Sequence, residues 1–164
     1  MIDCEIMMLM PLCEHPVTGG EIYNLKLYDY LGSRYKRVKN ITWPTKVHHT
    51  KLQFFLNSLE QNLSSLKLLW MIKEKTIIIE DISSSSDLFI FNLITKYAKR
   101  LMGKEIRVIP MVHHVYAPLL DIGLKRSLKL QEERIFLNSA DGIIVNSEFT
   151  ANSVKSLIDH PIDM

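Results

Sequence analysis

The chain has 164 residues, enough for one well-cored domain and too few for two ordinary ones. Hydrophobic residues make up 47% and charged residues 23%, with six Gly and six Pro, which excludes a disordered, collagenous or disulfide-built chain. The formal net charge of +2 implies no strongly polyanionic partner, and no nucleic-acid-binding motif accompanies the basic residues.

The opening M-I-D-C-E-I-M-M-L-M carries Asp3 and Glu5 where a secretory leader would carry lysine or arginine. A cytoplasmic protein with reduced Cys4 and Cys13 is expected. Ile6 to Leu12 predicts a first strand, followed by a loop from Cys13 to Gly20 and a helix from Glu21 to about Leu31. A weak strand is predicted near Val38 to Ile41. Arg34, Lys36, Arg37, Lys39 and Lys46 form a basic run with Tyr35 and Trp43 interleaved. A solvated face is the plain reading, and peripheral attraction to anionic headgroups or phosphates the sharper one. Leu52, Phe55, Leu59, Leu63, Leu66 and Trp70 fall at three- and four-residue steps, the stripe of an amphipathic helix.

Thr76 to Ile79 is a β-branched run ending at Glu80 and Asp81, which predicts a buried strand with an acidic tip. Asp87 is placed to cap a helix running to about Met102, where Gly103 stops it. Lys96, Lys99, Arg100 and Lys104 make a second basic run. Ile106 to Val112 predicts another strand, ending at His113 and His114. A helix from about Leu124 to Asn138 follows, on which Glu132, Glu133 and Arg134 read as a solvated face. Gly142 to Val145 predicts a last strand, and Ser147 caps a last helix. No apolar run reaches the roughly 18–20 residues of a membrane-spanning helix.

Strand and helix in alternation argue an α/β fold: one Rossmann-like domain over residues 1–164, a parallel sheet with helices on both faces. In such a sheet the ligand lies beyond the carboxyl ends of the strands. Thr18, Gly19, Gly20 and Glu21 fall there and open a helix. The glycines allow either close backbone approach to a ligand or the torsions of a tight loop. His113 and His114, adjacent on a strand end, point in opposite directions and make a poor chelating pair. One imidazole facing the crevice is suited to hydrogen bonding or proton transfer; a buried, satisfied histidine is the other reading. The chain has no G-x-G-x-x-G, no G-x-x-x-x-G-K-[ST] and no G-x-S-x-G, so dinucleotide, P-loop and nucleophile-elbow chemistry are not indicated.

Three segments together resemble the N-terminal domain of GT-B glycosyltransferases of the retaining family four. They are P-V-T-G-G-E-I-Y-N at Pro16 to Asn24, R-V-I-P-M-V-H-H at Arg107 to His114, and the stretch from Glu133 to Thr150 with A-D-G-I-I-V-N-S-E-F-T. The resemblance covers nearly the whole chain, and its last segment is the most specific. It implies transfer of a sugar from a nucleotide-sugar donor to a glycan or lipid-linked acceptor, with no cofactor and no bound metal. It further implies that His113 reaches the transferred sugar, and that Gly19, Gly20, Glu21, His114 and Ser147 lie along the acceptor and diphosphate site. The family's G-H-x-V turn after the first helix is replaced here by L-G-S-R-Y-K-R-V. The donor-binding C-terminal domain is expected on a separate partner or a missing segment, with the chain inactive alone. A non-catalytic interaction module that keeps the fold is the alternative.

Overall fold

The computed structural model describes residues 4–10, 15, 17–41, 59–60, 62–81, 89–101, 103–120 and 122–159, with the backbone alone for 89, 90, 98–101 and 125. Five strands, β1 (Glu5–Leu9), β2 (Val38–Asn40), β3 (Lys75–Asp81), β4 (Glu105–Val112) and β5 (Ile144–Val145), form one sheet in the order β2-β1-β3-β4-β5. Every pairing is parallel. Among the described residues, the α-helices α1 (Gly19–Arg34), α2 (Phe89–Leu101), α3 (Leu124–Asn138) and α4 (Glu148–Lys155) pack on it.

The central strands are continuous apolar runs because both their faces are covered. All five residues of β1 are buried. Met7 pairs with Ile78 and Ile78 with Val108, and this face packs on Phe91 of α2 and on Leu68 and Ile72. The alternate residues Ile6, Met8 and Ile79 pack on Leu27, Tyr28 and Leu31 of α1. A third cluster joins Val112 and Ile143 to Phe136 and Leu137 of α3 and Val154 of α4. The fold is therefore the predicted Rossmann-like α/β domain.

Several elements differ locally from expectation. The helix α1 starts at Gly19 rather than Glu21 because Thr18 is its cap. Thr18 Oγ1 accepts from the Glu21 N–H at 3.2 Å, and Glu21 Oε2 accepts from the Thr18 N–H at 2.8 Å, a reciprocal capping box. The strand β5 is shorter than Gly142–Val145. The carboxylate of Asp141 takes the Val108 N–H at 2.9 Å while the Asp141 N–H donates to Val108 O at 2.9 Å, so a side chain replaces part of the ladder.

The amphipathic stripe is corrected most. Residues 62–65 are helical, but Leu66–Met71 is a 3-10 segment, whose three-residue turn shifts the phase. Leu68 and Ile72 are buried instead, while Leu59, Leu63 and Trp70 are exposed. Leu52 and Phe55 lie outside the described residues, as do Asp87 and the Ser83–Ser86 connector. Gly103 does end α2, with a φ of 61° that a side chain rarely adopts.

The basic run after α1 is partly spent inside the fold. Lys39 and Lys73 reach the buried Glu5 carboxylate at 3.0 and 2.9 Å. Burial works to raise the Glu5 pKa, yet these two ammonium groups hold it below the usual carboxylate range. Arg34 lies over the Tyr30 ring at 5.6 Å.

Candidate active site at the carboxyl edge of the sheet

Strand alternation separates the two acidic residues at the tip of β3. Glu80 follows Ile78 onto the α2 face, where it is fully buried and accepts from Asn92 Nδ2 at 2.7 Å. Asp81 follows Ile79 onto the α1 face, where its Oδ2 accepts from Asn24 Nδ2 at 3.3 Å. The crevice therefore receives Asp81 and not Glu80.

His113, just beyond β4, faces the same group. Its Nε2 lies 3.0 Å from Asn24 Oδ1 and 3.8 Å from Asp81 Oδ2, and its Nδ1 lies 3.4 Å from Asn146 Nδ2. Because Asn24 gives its amide N–H to Asp81, it presents its oxygen to the imidazole. That arrangement selects the Nε2–H tautomer, leaving Nδ1 as acceptor toward Asn146. Tyr23 approaches the ring edge-on, with centroids 5.8 Å apart. Thr150 Oγ1 lies 3.0 Å from both His113 O and Asn146 Oδ1, with one proton to share between them. The start of α4 is thereby tied to the histidine.

The adjacent His114 turns away, as opposite-facing neighbours must. It is exposed, and its ring lies 4.2 Å from that of Tyr116 rather than in the hydrogen-bonded group around His113. Tyr116 keeps its phenol proton well above the usual range, because of burial first and the Asp81 and Glu133 charges second. It offers a neutral hydroxyl near that carboxylate.

Of the two glycines that open α1, Gly20 is the one the site requires. Neither has a positive φ, so loop torsion is not the reason for them. A Cβ on Gly20 would lie 3.2 Å from His113 Cδ2, whereas one on Gly19 would meet nothing within 4 Å. Gly19→Ala is expected to stabilise the protein by up to about 1 kcal/mol through helix propensity. Gly20→Ala is expected to cost about 1–2 kcal/mol, because the imidazole is held at both nitrogens and cannot step aside. Urea denaturation of the two variants checks this; equal shifts would remove the packing argument.

Glu21 closes the helix cap: its Oε2 accepts from the N–H groups of Val17 and Thr18 at 2.9 and 2.8 Å. The T-x-x-E spacing could have revealed this from the sequence. The N–H groups of Gly19 and Gly20 are the two in this first turn that neither Thr18 nor Glu21 takes. Ser147 is likewise a cap, accepting from the Thr150 N–H at 3.1 Å.

No known family model matches the chain, and a search of curated proteins finds none that matches. The site must be read from its own geometry. Among the described residues, no group of three or more His, Cys, Asp or Glu is placed to hold a metal ion. The geometry offers a half-buried imidazole of fixed tautomer, one carboxylate, two carboxamides and two helix N–H groups around a glycine backbone. Sequence reasoning missed Asn24 and Asn146. Asn24 sits one helical turn after Gly20 and so on the same face, a spacing that could have pointed to it.

Proposed function

We propose that this chain is the acceptor-side domain of a retaining GT-B-type glycosyltransferase, which transfers a sugar from a nucleotide-sugar donor to a glycan or lipid-linked acceptor. The observation that carries the reading is the placement of the His113 ring where a Cβ on residue 20 would crowd it, at the carboxyl edge of a parallel sheet, beside Asp81, Asn24 and Asn146. Carboxylate, carboxamide and imidazole groups fixed around one crevice suit a hydroxyl-rich ligand, since each hydroxyl both donates and accepts. The N–H groups of Gly19 and Gly20 suit an oxyanion of the donor diphosphate. The 3.4 Å contact of Asn146 is the longer of the two hydrogen bonds on the ring. It is the one a sugar hydroxyl would replace, freeing Nδ1 as an acceptor toward the ligand.

A retaining transfer needs groups on both sides of the departing nucleotide. These 164 residues supply one wall; a nucleotide-sugar-binding domain, in the same polypeptide or on a partner, supplies the other. A second reading, a binding module without catalysis, is favoured by one observation: both His113 nitrogens and the Glu21 carboxylate already have partners inside the protein.

Ligand-observed NMR with a panel of nucleotide sugars and of glycan or lipid-headgroup acceptors tests the proposal. Acceptor binding that is lost in Asp81→Ala and His113→Ala, with weak donor binding and no transfer by the chain alone, is the expected result. Failure of every acceptor to bind would refute the acceptor-side reading. Sugar transfer without a second domain would refute the need for one.

A further inference from the structure

Six side chains around the crevice join into one hydrogen-bond chain, and each link has a direction. The chain ends at Asp81, whose carboxylate accepts. Asn24 therefore donates from Nδ2 to Asp81 and turns Oδ1 to the Nε2–H of His113 at 3.0 Å. The proton on Nε2 leaves Nδ1 able only to accept. Asn146 accordingly turns Nδ2 toward Nδ1 at 3.4 Å and points Oδ1 the other way, where it meets Thr150 Oγ1 at 3.0 Å. Ser147 Oγ lies 2.9 Å from the same hydroxyl and has a proton to give, which leaves Thr150 free to donate.

The link at Thr150 differs from the rest. Its hydroxyl has one proton and two oxygens that can only accept, Asn146 Oδ1 and His113 O, both at 3.0 Å. Thr150 is 3% exposed, so water does not make up the shortfall from its side. Asn146, in contrast, is exposed. When Asn146 swings out, water takes its carboxamide, the Thr150 proton passes wholly to His113 O, and Nδ1 alone loses a partner. Opening the other side of the ring costs more, because Asn24 is 1% exposed and has no water to turn to.

We propose that Thr150 is a positioning residue: through Asn146 it keeps His113 Nδ1 capped, and Asn146 is the stand-in for a hydrogen-bond donor of the ligand. Resting on the acceptor-side reading above, this fixes the chemistry of the ligand group at that nitrogen. A sugar hydroxyl can donate to Nδ1 and replace Asn146. An ether oxygen or an ionised phosphate oxygen has no proton and cannot.

The test uses no sugar, nucleotide or second domain, so its failure is separate from failure of the transferase reading. Diethyl pyrocarbonate acylates the unprotonated nitrogen of a neutral imidazole, and peptide mass spectrometry reads the rate at each histidine. His114, adjacent and exposed, is the internal standard. Losing a hydrogen bond of ordinary strength at Nδ1 should speed modification of His113 about threefold to tenfold. That increase is expected in Asn146→Ala, at an exposed position, and in the near-isosteric Thr150→Val, with the His114 rate unchanged. Thr150→Ser keeps the hydroxyl and should stay at the parent rate. Thr150→Ala takes the place of the valine variant if that one does not fold. Nitrogen NMR of the neutral ring should find the proton on Nε2. An unchanged His113 rate in Asn146→Ala overturns the cap, and a parent rate in the Thr150 variant lacking a hydroxyl overturns the role of Thr150. Equal acceleration of His113 and His114 signals general opening and overturns the proposal as well. So does a proton on Nδ1, which would make Asn146 the acceptor.

Discussion

Replacing Glu133 by Gln is expected to cost roughly 3 kcal/mol of stability, and replacing it by Ala somewhat more. The carboxylate is fully buried, and its two oxygens accept separate backbone N–H groups, Tyr116 at 2.7 Å and Ala117 at 3.0 Å. These donors open the 3-10 segment Ala117–Leu119, which lies away from any ladder that could satisfy them. Hydrogen bonds to an ionised acceptor contribute about 1.5–3 kcal/mol each, and a buried N–H left without one carries its desolvation cost. A glutamine keeps one acceptor but turns an NH2 donor toward the other N–H, which is worse than a simple loss.

The comparison that isolates the effect is Glu132→Gln. Its carboxylate is partly exposed and pairs with Lys129, and such a pair contributes about 1 kcal/mol or less. Urea midpoints of the three variants measure the difference. Similar losses at positions 132 and 133 would show that the two backbone contacts contribute little. Because Glu133 holds the loop that follows His113, the prediction also tests whether the crevice is braced from behind by α3.

The same residue shows where sequence reading stops. Glu132, Glu133 and Arg134 look alike as a charge cluster, yet neighbours on a helix are about 100° apart and do not share a face. Glu132 meets Lys129 and Arg134 reaches Asp159, while Glu133 turns inward. Nothing local says which of the three will do so, because the deciding N–H groups lie 16 and 17 residues earlier. The strands and helices were legible because their causes are local. Isoleucine runs, the Ser147 cap and Gly103 each act within a few residues. The candidate site was half legible. His113 and Gly20 stand at strand and helix ends, where the topology directs attention. Their partner Asp81 could be placed only once strand alternation was tied to a known face, and its bond to Asn24 spans 57 residues.

Glu80, the carboxyl that alternation sends to the other side, should make stability fall as pH rises from about 4.5 toward about 8. Burial pushes its pKa up to about 8 from an ordinary 4.5, against the opposing donation from Asn92. In that interval the folded protein holds a proton that the unfolded chain has released. The stabilisation from this neutral carboxyl is thus complete below the unfolded value and is lost as pH rises through the folded one. The slope is at most about 1.4 kcal/mol per pH unit, and other groups add their own. The neutral form also suits its surroundings: Glu80 Oε1, Asn92 Oδ1 and Thr95 Oγ1 are buried without hydrogen-bond partners among the described residues, and a carboxyl proton gives that group a donor. Glu80→Gln keeps an oxygen for Asn92 Nδ2 and has nothing to ionise. The variant should match the parent near the acid end of the interval and exceed it by a few kcal/mol near pH 8, with no slope of its own from this site. Urea denaturation of both proteins across the interval reads the difference directly. Parallel curves would mean that Glu80 ionises in the fold as readily as in water, and that its burial is relieved by groups other than Asn92.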